Sequence, residues 1–323
     1  MKYIKREKLK LKLKDNFKEK RIDCCAIVLN YKNYITTVKC VEQILNYASI
    51  NKIIIVDNKS TDGSYEKLKE KFGSVGKVRV IITERNGGYS YGNNFGFKYA
   101  IRYYNPKYFF VFNPDVNIPE KTIKEIINFY RERSKTERIG IISAKMITNS
   151  KETVEAWKLP GLKDDFILSI GILEKLFGNP TLYSKKYLSS NKYAKVDVLP
   201  GSFFFINSNT LRDINFFDEQ VFLFGEERII SYKLIEKKYQ NYLLTKVEFY
   251  HKCGDSINDN IKNHITQYIL LQKSRKHYYI YYLRIRGFKL LFFNLITYIG
   301  VMERHIYFFL KKIKKRLFAL AQK

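Results

Sequence analysis

The residues of this 323-residue chain best placed to do chemistry are acids and amides that follow apolar runs. The clearest case is YFFVFNPDV, at 108–116. Its first five residues, Tyr108 to Phe112, are apolar without a break, which suits a strand buried on both faces of a parallel sheet. Pro114 then ends ladder pairing, because it has no N–H to donate. Asp115 therefore falls just beyond the carboxyl end of a buried strand, the edge at which open α/β sheets bind ligands. A carboxylate held there could ligate a hard cation such as Mg²⁺ or Mn²⁺. It could equally cap the helix expected over 120–130.

The elements that would position such a site can be read in order. Apolar runs at 24–29, 52–56, 78–83 and 108–112 predict four strands, and helical spacing between them predicts strand–loop–helix units. Ser64 is the expected N-cap of a helix over 65–72. Such a series predicts an α/β fold, a doubly wound and mostly parallel sheet with right-handed crossovers. Asn30, Asp57, Asn86 and Asp115 each follow a strand, so they gather on one sheet edge. A further strand is expected over 139–144. Residues 145–193, which include Trp157, read as an insertion beside the cleft. Strands at 194–199 and 202–206 flank Pro200-Gly201, where Gly201 lets the backbone approach a ligand or another chain segment closely. Glu226-Glu227 precedes a helix over 228–238, and short strands at 242–244 and 247–250 lead to His251.

Composition narrows the class. The formal net charge is +28, but it is concentrated at the ends. Residues 1–21 carry 10 Lys and Arg against 3 acids, residues 272–323 carry 13 against 1, and the remainder is only +9. Charge placed this way points to an anionic surface, membrane or nucleic acid. The central region shows no nucleic-acid motif, so no nucleic acid is expected; the alternative reading is a non-catalytic basic binding protein on an α/β scaffold. Leu290 to Met302 is an uncharged run of 13 residues, shorter than the roughly 18 needed to span a bilayer. With its basic flanks it suits an interfacial anchor to anionic lipid. The basic N-terminus lacks the apolar core of a signal peptide, and Cys24, Cys25, Cys40 and Cys253 show neither zinc nor disulfide spacing. These features lead to the expectation of a cytoplasmic protein, peripheral at the inner face of the cell membrane. The expected division is a basic lead-in at 1–21, a main domain at 22–259 and a helical, basic segment at 260–323.

The motifs also occur in a family order. AIVLNY, IIIVDNKSTDGS, ERNGGYSYGNNFG, FVFNPDV, LPGSFFFIN, INFFDEQVFLFGEE and HKCGDS run in series from Cys24 to Ser256. Together they resemble inverting glycosyltransferases of family 2, specifically the rhamnosyltransferase-like branch of cell-surface polysaccharide synthesis. The resemblance implies a GT-A fold and transfer of a sugar from a nucleotide-diphosphate donor to a lipid-linked or polysaccharide acceptor.

It also implies roles. Asp115 matches the last acid of the DxD-like element that contacts metal and diphosphate, with Asn113 standing where a strict DxD has its first acid. His251 matches a further ligand of Mn²⁺ or Mg²⁺. Asp57 matches the acid that holds base or ribose, Asn86 and Asn94 match amides of the donor loop, and Gly88 sits where the backbone nears the nucleotide. Asn30 and Gly201 complete the expected donor site. Glu227 matches the general base and Glu226 its neighbour on the acceptor side, with the order of the two left open. Ile229 stands where many relatives carry another aspartate.

Overall fold

The computed structural model describes residues 22–148, 155–252 and 263–321. The lead-in at 1–21 and the motif residues Cys253, Gly254, Asp255 and Ser256 lie outside the described residues. The first half of the chain forms four parallel strands, β1 (Cys24–Asn30), β2 (Lys52–Asp57), β3 (Val78–Ile82) and β4 (Tyr108–Phe112), in the order β3-β2-β1-β4. Helices α1 (Tyr34–Leu45), α2 (Ser64–Phe72) and α3 (Gly88–Tyr104) connect them.

The unbroken apolar runs have a direct packing cause. Ala26, Val28, Ile53, Ile55, Phe110 and Phe112 enter one core, while Ile27, Ile54, Val56, Phe109 and Val111 enter another. Side chains alternate across a strand, so a sheet covered on both sides needs apolar residues at every position.

Beyond β4 the sheet becomes mixed. Next come β5 (Val116–Asn117), α4 (Glu120–Arg133) and β6 (Ile139–Thr148). Three short helices follow, α5 (Leu162–Ser169), α6 (Gly171–Phe177) and α7 (Lys185–Ser189), then β7 (Tyr193–Val196), β8 (Phe203–Asn207) and α8 (Ser208–Asp213). The chain continues through α9 (Glu226–Glu236), β9 (Gln240–His251), α10 (His264–Tyr281) and α11 (Phe288–Ala321). The full order is β3-β2-β1-β4-β8-β6-β9-β5, with β7 also paired to β9. β8 runs antiparallel to both β4 and β6, while β6 and β9 are parallel.

Several boundaries differ from the sequence reading. The two short strands at 242–244 and 247–250 are one strand, β9, whose pairing with β6 shifts register between Ala144 and Lys145. Polar Thr245 and Lys246 at that shift interrupt the apolar pattern without ending the strand. Ser64 is the first residue of α2 rather than its cap: Gly63 precedes it with φ +77°, and the Ser64 hydroxyl donates to Asp62 Oδ1 at 2.6 Å. The helix expected over 228–238 starts earlier, at Glu226, so the acid pair occupies its first turn. The insertion at 145–193 is largely built: Trp157 bridges Leu182 and Val198, and α5 and α6 pack near α11.

The C-terminal helices belong to the same body. Val221, Ile229, Tyr278, Tyr279 and Phe293 form a third buried cluster joining α9, α10 and α11. Among the described residues, no helix is long and apolar enough to cross a membrane.

Candidate active site

The sheet register brings the strand-end residues together. Asn30 pairs with Asp57 across β1 and β2, and both are fully buried. Asn30 Nδ2 donates to Asp57 Oδ2 at 2.7 Å, the Ser60 N–H donates to Asp57 Oδ1 at 2.7 Å, and the Thr37 hydroxyl donates to Asn30 Oδ1 at 2.7 Å. This buried network forms a floor beneath the sheet edge. The neighbouring residue, Asn58, reaches the cavity above it. Its Nδ2 donates to Asn86 Oδ1 and to the Gly88 carbonyl, each at 3.0 Å.

The cavity over this edge has a volume of about 580 Å³. Asn58, Asn86, Gly88 and Tyr89 line one wall; Gly201, Ser202 and Met146 another; Phe222 to Phe224 a third. Glu226, Glu227 and His251 also open into it. Gly88 is fixed by geometry: its φ is +86°, and a Cβ there would lie 2.0 Å from the Phe222 carbonyl oxygen. That close approach lets the Tyr89 N–H donate to the Phe222 carbonyl at 3.0 Å and the Tyr89 hydroxyl donate to the Gly201 carbonyl at 2.6 Å.

Asp115 sits in an adjoining cavity of about 470 Å³, with His251 lining both. Antiparallel pairing of Val116 with His251 sets the imidazole beside the carboxylate, with His251 Nε2 3.3 Å from Asp115 Oδ1. An oxygen and a nitrogen donor at this separation suit a borderline divalent ion such as Mn²⁺. Among the described residues no set of three acidic, His or Cys side chains converges, so they offer Asp115 and His251 as two donors here.

Asn94 lies elsewhere. It is buried in α3, where its amide donates to the Phe217 carbonyl at 3.0 Å and to Glu219 Oε1 at 2.8 Å, and its oxygen accepts the Phe217 N–H at 3.1 Å. It holds the FFDE segment in place and does not line the cavity.

The two acids at the start of α9 have different surroundings. Glu226 is buried, and its Oε2 has no hydrogen-bond partner among the described residues. Burial, and then the adjacent Glu227 charge, push its carboxyl well above the usual range. Glu227 is more accessible, and Gly201 donates its N–H to Glu227 Oε1 at 3.3 Å. Desolvation raises Glu227 too, but the N–H groups of Glu227, Gly201 and Gly225 and the Arg228 charge pull it back. Burial thus raises both carboxyls, with hydrogen-bonding N–H groups opposing the rise at Glu227.

Two supports of this helix were missed from the sequence. Arg228, next to the acids, makes a bidentate pair with buried Asp165 of α5, and Arg275 of α10 approaches the same carboxylate at 3.4 Å. Tyr279 of α10 donates its hydroxyl to Asp165 as well. Farther along, His277 and Tyr282 each contact Asp218 Oδ2 at 2.7 Å. The placement of Arg228 beside the acid pair was the only available signal.

Residues 25–211 match the profile of Glycosyl transferase family 2, more than half of the chain. The chain belongs to that family. Among curated proteins it is similar to the low-salt glycan biosynthesis hexosyltransferase Agl10 of Haloferax volcanii, with 26% identity over 215 residues. That match covers 65% of this chain and 61% of the Agl10 sequence. Among solved structures it resembles S. aureus TarS 1-349 in complex with UDP-GlcNAc, with a TM-score of 0.55 and 14% identity over 89% of this chain and 73% of that one. It also resembles the mannosyltransferase PcManGT of Pyrobaculum calidifontis in complex with GDP-Man and Mn²⁺, with a TM-score of 0.54 and 11% identity over 93% and 81% of the two chains. At these identities the structural likeness establishes the fold, which is that of the GT-A glycosyltransferases.

Proposed function

We propose that this protein moves a sugar from a nucleotide-diphosphate donor to an acceptor hydroxyl, with inversion at the anomeric carbon. The observation that carries this reading is one cavity receiving Glu226 and Glu227 from one side and His251, paired with Asp115, from another. In this scheme Glu227 takes the proton of the acceptor hydroxyl while that oxygen bonds to the anomeric carbon. The bond from that carbon to the diphosphate oxygen breaks, and its electron pair leaves with the nucleoside diphosphate. A divalent ion held by Asp115 and His251 would neutralise charge on the leaving diphosphate. Glu226, buried beside Glu227, would orient Glu227 or contact the acceptor within the same cavity. Asn58, Asn86 and the Gly88 backbone orient the nucleotide above the Asn30–Asp57 floor.

We further place the reaction at the inner face of the cell membrane, on a lipid-linked or polysaccharide acceptor in cell-surface glycan synthesis. The basic C-terminal sequence and the glycan-biosynthesis role named for Agl10 support this. The test is release of nucleoside diphosphate from a panel including UDP-GlcNAc and GDP-mannose with Mn²⁺. One donor should turn over, and Glu227→Gln should lower kcat by roughly 10²–10⁴-fold, the usual contribution of a positioned base. Turnover by Glu227→Gln equal to wild type would remove Glu227 from the base role.

A further inference from the structure

Helix α11 carries two apolar faces. Phe293 and Ile296 are buried at 4% and 6% exposure, and Gly300 packs against Tyr268 and the Ser169 carbonyl. On the opposite side Phe288, Leu291, Leu295, Ile299, Met302, Ile306 and Phe309 recur every three or four residues and are exposed. This spacing places them in one stripe along the helix. Helix α6 adjoins it: Glu303 of α11 accepts the N–H groups of Gly171 and Ile172 at 2.6 and 2.9 Å. From α6, Ile172, Leu176 and Phe177 are 61%, 71% and 70% exposed. Where α5, α6 and α11 meet lies an apolar groove of about 390 Å³, whose walls include Phe166, Phe177 and Phe292.

We propose that the outer stripe of α11 and the exposed side of α6 form one surface that docks in the interface of an anionic bilayer. This rests on the membrane reading above and names the surface that meets the lipid. Charge selects the occupant. Lys175, Lys289, Lys311, Lys312 and Lys314 are exposed on these two helices, and residues 272–323 hold 13 basic residues against 1 acid. A second copy of the chain would bring like charge against like; anionic headgroups bring the complement. Neither helix can span a membrane, so the apolar stripe lies in the interface plane. Because the inner face of α11 is part of the folded core, the docking surface is fixed relative to the cavity.

The test is flotation of the full chain with vesicles of phosphatidylcholine alone or mixed with phosphatidylglycerol, without sugar donor, so that the outcome is independent of transfer chemistry. Truncating α11 would open the core, so surface variants are used and circular dichroism confirms their fold. Wild type should float with mixed vesicles and scarcely with neutral ones. Removing three lysines, as K311Q/K312Q/K314Q, should weaken partition about a hundredfold, roughly fivefold for each charge. I172Q/L176Q/F177Q, which leaves α11 untouched, should weaken it by more than about tenfold, since each side chain contributes apolar area. Wild-type partition by the α6 variant, or equal binding to neutral vesicles, would overturn the proposal. So would a dimer abolished by L291Q/L295Q in a protein that ignores vesicles, since the occupant would then be a second copy.

Discussion

The buried ion cluster behind the acid helix makes a quantitative prediction. Asp165 is 1% exposed, and Arg228 and Arg275 are each 7% exposed. Asp165→Ala would leave two guanidinium groups buried near each other with their shared anion removed. Breaking a buried pair costs about 3–5 kcal/mol, because the remaining charge stays desolvated. At about 2.1 cal/mol/K per residue, unfolding 323 residues carries an entropy of about 0.7 kcal/mol/K. The thermal midpoint should therefore fall by about 4–7 °C. Thermal unfolding followed by far-UV circular dichroism reads this directly. The pH dependence has a definite sign. Burial alone would raise the Asp165 carboxyl, but Arg228 and Arg275 outweigh it and hold it below the usual range. A depressed folded value gives stability that is present above the unfolded carboxylate range and lost as pH falls through the folded value. Wild type should lose this contribution in acid, whereas Asp165→Ala has none to lose. A double variant, Asp165→Leu with Arg228→Met, should cost less than the two single changes added together. A midpoint change within about 1 °C for Asp165→Ala would mean that these charges are solvated and that the cluster does not hold α9.

Other expectations follow from the same geometry. Glu226 is raised by burial and by Glu227, so its neutral form stabilises fully below the unfolded carboxyl value of about 4.3, and that stability is lost as pH rises through the folded value. Glu226→Gln should accordingly be more stable than wild type at neutral pH, the gap closing as pH falls; urea midpoints across that range measure it. Gly88→Ala forces a Cβ against the Phe222 carbonyl at a positive φ, costing about 1–2 kcal/mol for the backbone alone. It should displace the 222–224 segment and lower kcat/KM by more than about tenfold, a loss that would be absent if that wall did not shape the site. Asn94→Ala should destabilise by about 1–3 kcal/mol by orphaning the Phe217 backbone groups, without changing nucleotide affinity, as measured by calorimetry.

The first four strands were legible because a sheet covered on both faces demands apolar residues at every position, and Asn30, Asp57 and Asp115 ended those runs where the sheet edge lies. Whether a strand-end residue opens into the cavity or into the floor was not legible. Asp57 is sealed by Asn30 and Ser60, whereas Asn58, one residue on, faces the cavity, and only the β1–β2 register decides between them. Asn94 looked like a donor-loop amide because it follows the glycine series, but one further turn of α3 carries it to Phe217. The Asp165 cluster left no local pattern, because its partner Arg228 lies 63 residues away. In α11 both faces are apolar, so hydropathy could not separate the side that packs from the side that is exposed.

The most direct test of the central claim is a thermal-shift panel of UDP, dTDP, GDP and CMP, each with and without Mn²⁺, on wild type and Asp115→Ala. A ligand at about 100 times its Kd adds roughly 2.7 kcal/mol, or about 4 °C for a chain of this size. The account predicts that one nucleoside diphosphate gives this shift in wild type only with Mn²⁺, and that Asp115→Ala loses it. No shift with any nucleotide, or the same shift in Asp115→Ala, would contradict it.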